Sequence, residues 1–235
     1  MLSFTSTRPV VSGGIYPKIF PIILWSVITI TNGLTTTLGK RLIRRFASNS
    51  EKKSGRNEDP SAGIIDSQSV KGTPESAKES GIDGHKLVKG RKRHIVVDTM
   101  GYLIVVLVHA ANIYDGRAAP KVLSALFSVV DTIQKIWADN GYKSEELIQW
   151  VKEQFGCVLE IVQNKKTPGT FQVVPRRWVV ERTFAWLGRS RRLSKDYERK
   201  PTSSAGHVYV SSSRLMLRRI CKVRALSQEA ILAAV

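Results

Sequence analysis

The stretch RHIVVDTMGYLIVVLVHA, residues 93–110, decides the fold. It contains two runs rich in Val, Ile and Leu, residues 93–99 and 102–110, separated by Met100-Gly101. Branched side chains at this density favour extended backbone, and a short Gly-containing break between two such runs is a hairpin signal. Working outward, residues 64–67 (IIDS) form a short apolar run ending in an acid, and residues 132–138 (TIQKIWA) form another that stops at Asp139. Residues 115–130 follow a helical pattern with Leu123, Leu126 and Phe127 on one side. Residues 144–155 do the same, with Ser144 placed as an N-cap and Leu147, Ile148 and Val151 inward. A strand at 158–162, a loop at 163–172, a basic helix and a last helix around 211–223 complete the chain. Strand, strand, strand, helix, strand, helix, strand, helix is an α/β order. No internal repeat is visible.

The 37 Lys and Arg residues outnumber the 19 Asp and Glu by a net charge of +18, so the partner is expected to be an anionic polymer or surface. Its binding should depend on salt, because phosphate contacts by Lys and Arg release counterions. Cys157 and Cys221 are isolated, with no spacing that suits zinc, and point to a reducing compartment.

The basic helix carries the partner's sign most clearly. Between Pro175 and Lys195 one carboxylate, Glu181, stands among Arg176, Arg177, Arg182, Arg189, Arg191 and Arg192. On a helical wheel Arg177, Glu181, Gly188 and Arg192 share an arc of roughly 60°, while Val180, Phe184 and Leu187 fall on another face. The plainer reading is a solvated amphipathic helix with Glu181 paired to Arg. The rest of the chain argues for more, because two strands end in Asp66 and Asp139, where open α/β sheets place their ligands. Three carboxylates converging there, with no soft ligand, would suit a hard divalent cation. A pair of such ions can serve an in-line phosphodiester displacement, with the surrounding Arg groups holding the DNA backbone. Asp83, Asp98 and Asp115 compete for the acid positions. Asp98, inside the hairpin, reads better as a turn or cross-strand acid, and Asp83, in the Gly-rich loop 81–90, as a turn acid.

The stretches IIDSQSVK (64–71), KGRKRHIVVDT (89–99), VHAANIYD (108–115), IWADNGY (136–142) and PRRWVVERTFAWLGRSRRLSKDYE (175–198) resemble the catalytic region of DDE transposases of bacterial insertion sequences, specifically the insertion-sequence-five group. The resemblance runs in order over about residues 54–220. It implies a ribonuclease-H-like mixed sheet flanked by helices, with Mg²⁺ (or Mn²⁺) as cofactor. It also implies DNA cleavage leaving a 3′-OH, strand transfer to target DNA, and a homo-oligomer on DNA in the bacterial cytoplasm, at the nucleoid. By position Asp66, Asp139 and Glu181 resemble the three metal-holding catalytic acids, and Arg177 the Arg four residues before the last. The chain departs from the wider pattern Y-x2-R-x3-E-x6-K at both ends, with Val174 at the Tyr position and Gly188 at the Lys position. Arg189 or Arg192 could supply that cation. The 41 residues between Asp139 and Glu181 leave no room for a large β insertion. An inactive DNA-binding remnant of such an enzyme is the alternative.

DNA contacts are expected from Lys71, from Lys89, Arg91, Lys92 and Arg93 as a phosphate-gripping hairpin, and from Asn140 and Tyr142 just past Asp139. Arg176, Arg177, Arg182, Arg189 and Arg192 join them on the basic helix. Trp178 and Trp186 read as packing aromatics, and His85 and His109 as structural or loop residues.

Residues 1–50 differ from everything after them. They carry no Asp or Glu, and their most apolar run, IFPIILWSVITI (19–30), is too short for a bilayer span and contains Pro21. No cleavage site of the signal-peptide kind follows it. The resembled family has a DNA-binding region here, with motifs close to WRxLPKDFP and YYYF. Reverse translation of residues 12–39 with a one-nucleotide frame shift permits those motifs in order. The expectation is therefore a frameshift-derived, poorly structured segment at 1–50, a linker at 51–62, the catalytic domain at 63–222 and a tail at 223–235.

Overall fold

The computed structural model describes residues 59–162 and 176–232. The atypical N-terminal segment, most of the expected linker, the loop 163–172 and Val174 lie outside the described residues. Ten elements follow one another: β1 (Ala62–Lys71), β2 (Gly81–Asp83), β3 (Val88–Asp98), β4 (Leu103–Ala110), α1 (Asp115–Phe127), β5 (Lys135–Ala138), α2 (Glu145–Phe155), β6 (Val158–Ile161), α3 (Arg177–Gly188) and α4 (Pro201–Leu232). Short 3-10 turns stand at Pro74–Glu79, Asn140–Tyr142 and Arg191–Leu193.

The strands form one six-stranded mixed sheet in the order β2-β3-β1-β5-β6, with β4 also on β3. β1, β3 and β4 are antiparallel neighbours, whereas β1–β5 and β5–β6 are parallel. This α/β sheet with flanking helices is the ribonuclease-H-like arrangement expected of the resembled domain. Successive strand residues point to opposite faces, so each strand feeds two cores. Ile64, Ile95, Val97 and Trp137 pack under α3 and α4 with Val180, Phe184, Leu187, Val208 and Tyr209. Ile65, Val96, Val105 and Ile136 pack under α1 and α2 with Val122, Leu123, Leu126, Leu147 and Val151.

The hairpin at Met100-Gly101 forms as expected. Asp98 Oδ1 accepts from the N–H of Met100 (2.8 Å) and of Tyr102 (2.8 Å), which makes it a turn acid. Gly101 has φ +83°, and a Cβ there would come within 2.9 Å of Thr183 Oγ1. The same turn docks α3, because Thr183 donates to Gly101 O (3.1 Å) and Arg182 to Met100 O (3.0 Å). Ser144 caps α2 by accepting from Leu147 N (3.3 Å), also as expected.

Several elements differ in extent. β1 runs on to Lys71 and β3 starts at Val88, because Ser67 to Lys71 pair with His94 to Gly90 although neither run is apolar. The Gly-rich loop contributes a strand, β2, on the end of β3. α3 stops at Gly188, so Arg192 lies outside the helix and off the arc assigned to it. α4 starts at Pro201, a favourable first helical position, and buries Ser204, Ser212 and Ser213 on a face too polar to show as a helical stripe.

Candidate active site

The pleat of β1 decides where Asp66 points. Ile64 packs under α3, so Asp66, two residues on, shares that face, while Ile65 and Ser67 look toward α1. β5 repeats the pattern, since Trp137 packs under α3 and Asp139 stands two residues beyond it. Ile64 and Trp137 are register partners in the parallel β1–β5 pair, so continuing both chains by two residues sets Asp66 beside Asp139. α3 then crosses above with Glu181. Its N-terminal end is held there by Arg176, whose guanidinium lies 4.2 Å over the Trp137 ring.

Arg177 joins the three acids. Its Nη2 lies 3.8 Å from Asp66 Oδ2, 3.8 Å from Asp139 Oδ2 and 3.4 Å from Glu181 Oε1. No two of those oxygens can therefore be farther apart than twice the longest of these contacts. Asp66 is nearly enclosed and Glu181 largely exposed, with side chains 13% and 55% accessible. Burial pushes the Asp66 carboxyl up to about 6, and the Asp139 charge adds to the push. The Ser67 N–H, which donates to Asp66 Oδ1 (2.7 Å), and the Arg177 charge oppose it without cancelling it. Asp139 Oδ1 accepts from Gly141 N (2.9 Å), which orients its carboxylate at the start of a 3-10 turn.

Three carboxylates against one guanidinium leave an excess of negative charge, and every donor is a carboxylate oxygen. That donor set fits a hard divalent cation in kind. Among the described residues no three His, Cys, Asp or Glu side chains stand close enough to hold one ion as they lie, because the Arg177 guanidinium is interposed.

A buried polar network backs the acids on the α1 side. Ser67 Oγ donates to Asp115 Oδ1 (2.9 Å), and Lys92 Nζ lies 3.1 Å from the same oxygen and 3.5 Å from Asp83 Oδ2. Asp83 also accepts from Ser69 Oγ and from the N–H of His85 and Lys86. Asp115 Oδ2 and Asp139 Oδ1 both abut Gly141, where a Cβ would meet them at 2.9 and 3.1 Å. His94 Nδ1 lies 2.8 Å from Tyr142 Oη, and burial holds the imidazole well below its usual range, so it is neutral. Of the competing acids, then, Asp83 and Asp98 serve turns, and Asp115 lies behind the site rather than in it.

Four expected DNA contacts are corrected by burial. Arg91 is fully enclosed, ion-paired to Asp196 (3.3 Å) and donating to the carbonyls of Glu79, Glu198 and Arg199. Arg93 donates to Leu193 O and Lys195 O, Lys92 is held between Asp83 and Asp115, and Tyr142 is sealed against His94. These side chains lie within the sheet's packing and cannot reach a phosphate outside it. Arg192 is exposed but paired with Glu198 (2.6 Å). Arg182 is sandwiched between the rings of Trp178 and Trp186, 4.4 Å from each. Lys71, Lys89, Asn140, Arg176 and Arg189 remain on the surface. Asp196 gives no signal of its own in the sequence, because it sits in a basic run. It is fully buried, and it ties the segment after α3 to β3 through Arg91 and to α4 through Ser204 Oγ (2.7 Å).

Comparison with known proteins adds a family to this geometry. Residues 57–208 match the family model described as the transposase DDE domain. A candidate transposase for insertion sequence element IS402, from Burkholderia cepacia, is 28% identical over 118 residues, which are 47% of this chain. The chain spans about half, 55%, of that relative's length. With the match covering most of the chain and the three acids gathered about Arg177, the chain belongs to the family of transposase DDE domains.

Proposed function

We propose that this chain is the catalytic part of an insertion-sequence transposase, cutting a DNA phosphodiester to leave a 3′-OH and directing that hydroxyl onto target DNA. The observation that carries the reading is the convergence of Asp66, Asp139 and Glu181 on one guanidinium nitrogen. Mg²⁺ or Mn²⁺, when held by these three carboxylates, would lower the cost of negative charge on the attacking and leaving oxygens. The chain's own residues do the rest. Asp66 and Asp139 are set side by side by parallel strand pairing, and their rigid spacing costs no reorganisation. Glu181 is exposed on a helix and can adjust. Arg177 offsets part of the acids' charge while no cation is present, and its long side chain can turn toward a phosphate when one is. Arg176, Arg189, Lys71 and Lys89, all exposed, suit backbone contacts that position the duplex. Strand transfer joins element ends to a target, so a homo-oligomer on DNA belongs to this reading.

A second reading, a DNA-binding remnant without catalysis, is favoured by one observation: Arg177 stands where a cation would have to enter. Nicking of supercoiled plasmid separates the two. Nicking that requires Mg²⁺ or Mn²⁺, is absent with Ca²⁺ or EDTA and is lost in Asp139→Ala supports the enzyme. Salt-sensitive binding with no nicking under any of these metals supports the remnant.

A further inference from the structure

The turn between β2 and β3 is built more firmly than an exposed turn requires. Asp83 Oδ1 accepts from the N–H of His85 (3.0 Å) and of Lys86 (3.1 Å), and Asp83 is itself buried and anchored by Ser69 and Lys92. The chain then enters β3 through Leu87 at φ +53°, a left-handed conformation that a leucine rarely adopts. Leu87 is 82% exposed, and Ile82 on the facing strand 59%. Neither packing nor backbone preference accounts for a strained leucine held out in water, and such strain is maintained where a site needs it.

Beside it, Lys86 Nζ lies 3.5 Å from the carbonyl oxygen of Ser67, the residue after Asp66. Among the described residues Lys86 has no carboxylate within ion-pair distance, and its charge reaches Asp66. A carbonyl contact of that length is marginal, so the ammonium group can leave it at little cost. The neighbouring cations of β3, Arg91, Lys92 and Arg93, are sealed inside. The turn thus brings a cation to the backbone of the residue after Asp66 and holds an exposed apolar side chain next to that cation in sequence.

We propose that the turn 83–87 is a DNA-contacting element, with Lys86 gripping a backbone phosphate next to the one attacked and Leu87 lying against the sugar or base beside it. The inference rests on the reading that the three acids act on DNA. The net charge of +18 and the cation's position beside the carboxylates argue for a duplex as the occupant. An apolar side chain at such a contact can part a base step and open the backbone to attack.

The test uses the full chain with the photocrosslinker p-benzoylphenylalanine at position 87. The same group at Val158 serves as control, because Val158 is exposed at the end of the β5–β6 pair opposite Asp139. The probe is a random-sequence duplex of about 40 base pairs in Ca²⁺, for which crosslinking at 87 is expected to exceed that at 158 by about tenfold. Lys86→Ala should flatten the slope of log K against log salt by about 0.9, and Lys86→Arg should restore it. Leu87→Gly should hold or raise the melting temperature, since glycine relieves the strain, while weakening Mn²⁺-dependent plasmid nicking. Equal crosslinking at the two positions, or an unchanged salt slope in Lys86→Ala, overturns the proposal. If wild type never nicks but crosslinks through 87, the catalytic reading fails and the DNA-contacting turn stands. If wild type nicks and the turn variants nick, bind and crosslink no differently from their controls, the turn proposal fails alone.

Discussion

Replacing Asp66 by Asn should make the protein more stable, and by an amount that depends on pH. Burial and the Asp139 charge raise the Asp66 carboxyl from 3.8 to about 6. At about 1.36 kcal/mol per pKa unit, an ionised Asp66 destabilises the folded state by about 3 kcal/mol relative to a neutral one. The sign follows from linkage: well below pH 3.8 the carboxyl is protonated in both states and costs nothing. As pH rises the unfolded chain releases the proton first, and stability falls until the folded carboxyl has titrated too, above about 6. Asn keeps the shape and still accepts from the Ser67 N–H without the charge. The variant should therefore gain about 3 kcal/mol at pH 7.5, about half of that at pH 5, and almost nothing at pH 3.5. For a chain of this size that is roughly 6–12 °C in melting temperature at pH 7.5. Urea and thermal unfolding of the full chain in EDTA measure it. Added Mn²⁺ should stabilise wild type and leave the variant unmoved. A gain that does not change with pH, or a loss at pH 7.5, would refute the argument that this site stores unfavourable charge for a cation to relieve.

Asp196→Ala strands Arg91 in the interior without its carboxylate and should cost about 3–5 kcal/mol in urea unfolding, a larger loss than at any surface acid. Gly101→Ala puts a Cβ at φ +83° against Thr183 and should cost about 1–2 kcal/mol, measured the same way. Asp115→Ala removes the partner of Ser67 and Lys92. It should cost about 1–3 kcal/mol and slow Mn²⁺-dependent nicking at saturating DNA, with Asp115→Asn retaining most of the stability and less of the rate. Affinity of the full chain for duplex DNA should fall steeply and linearly in log–log form with salt, as filter binding or anisotropy will report; a flat response would remove DNA as the partner.

The hairpin and the strand end at Asp139 were legible in the sequence because their signals are local, whereas Asp66, expected at a strand end, stands inside β1, which stays paired to Lys71. Val, Ile and Leu runs broken by Met100-Gly101 need only the chain's own backbone preference to form a hairpin, and an acid closing an apolar run marks where a buried strand meets solvent. The polar half of β1 was not legible, since Ser67 and Ser69 are satisfied by Asp115 and Asp83 from other elements. α4 was underestimated for a related reason: Ser204 and Ser212 break the apolar stripe, and only tertiary partners such as Asp196 make their burial tolerable.

By itself, then, the sequence determined the α/β class, the position of each acid along the chain and the family resemblance, all carried by short windows and order. Only the tertiary structure decided which charges face outward. Lys89, Arg91, Lys92 and Arg93 look alike in a row, yet the alternate faces of a strand, crossed by α1 on one side and the segment after α3 on the other, bury three of them against Asp83, Asp115 and Asp196. The convergence of Asp66, Asp139 and Glu181 is likewise a matter of register and helix placement. Strand pairing and packing act between residues far apart in sequence, and no window of the chain records them.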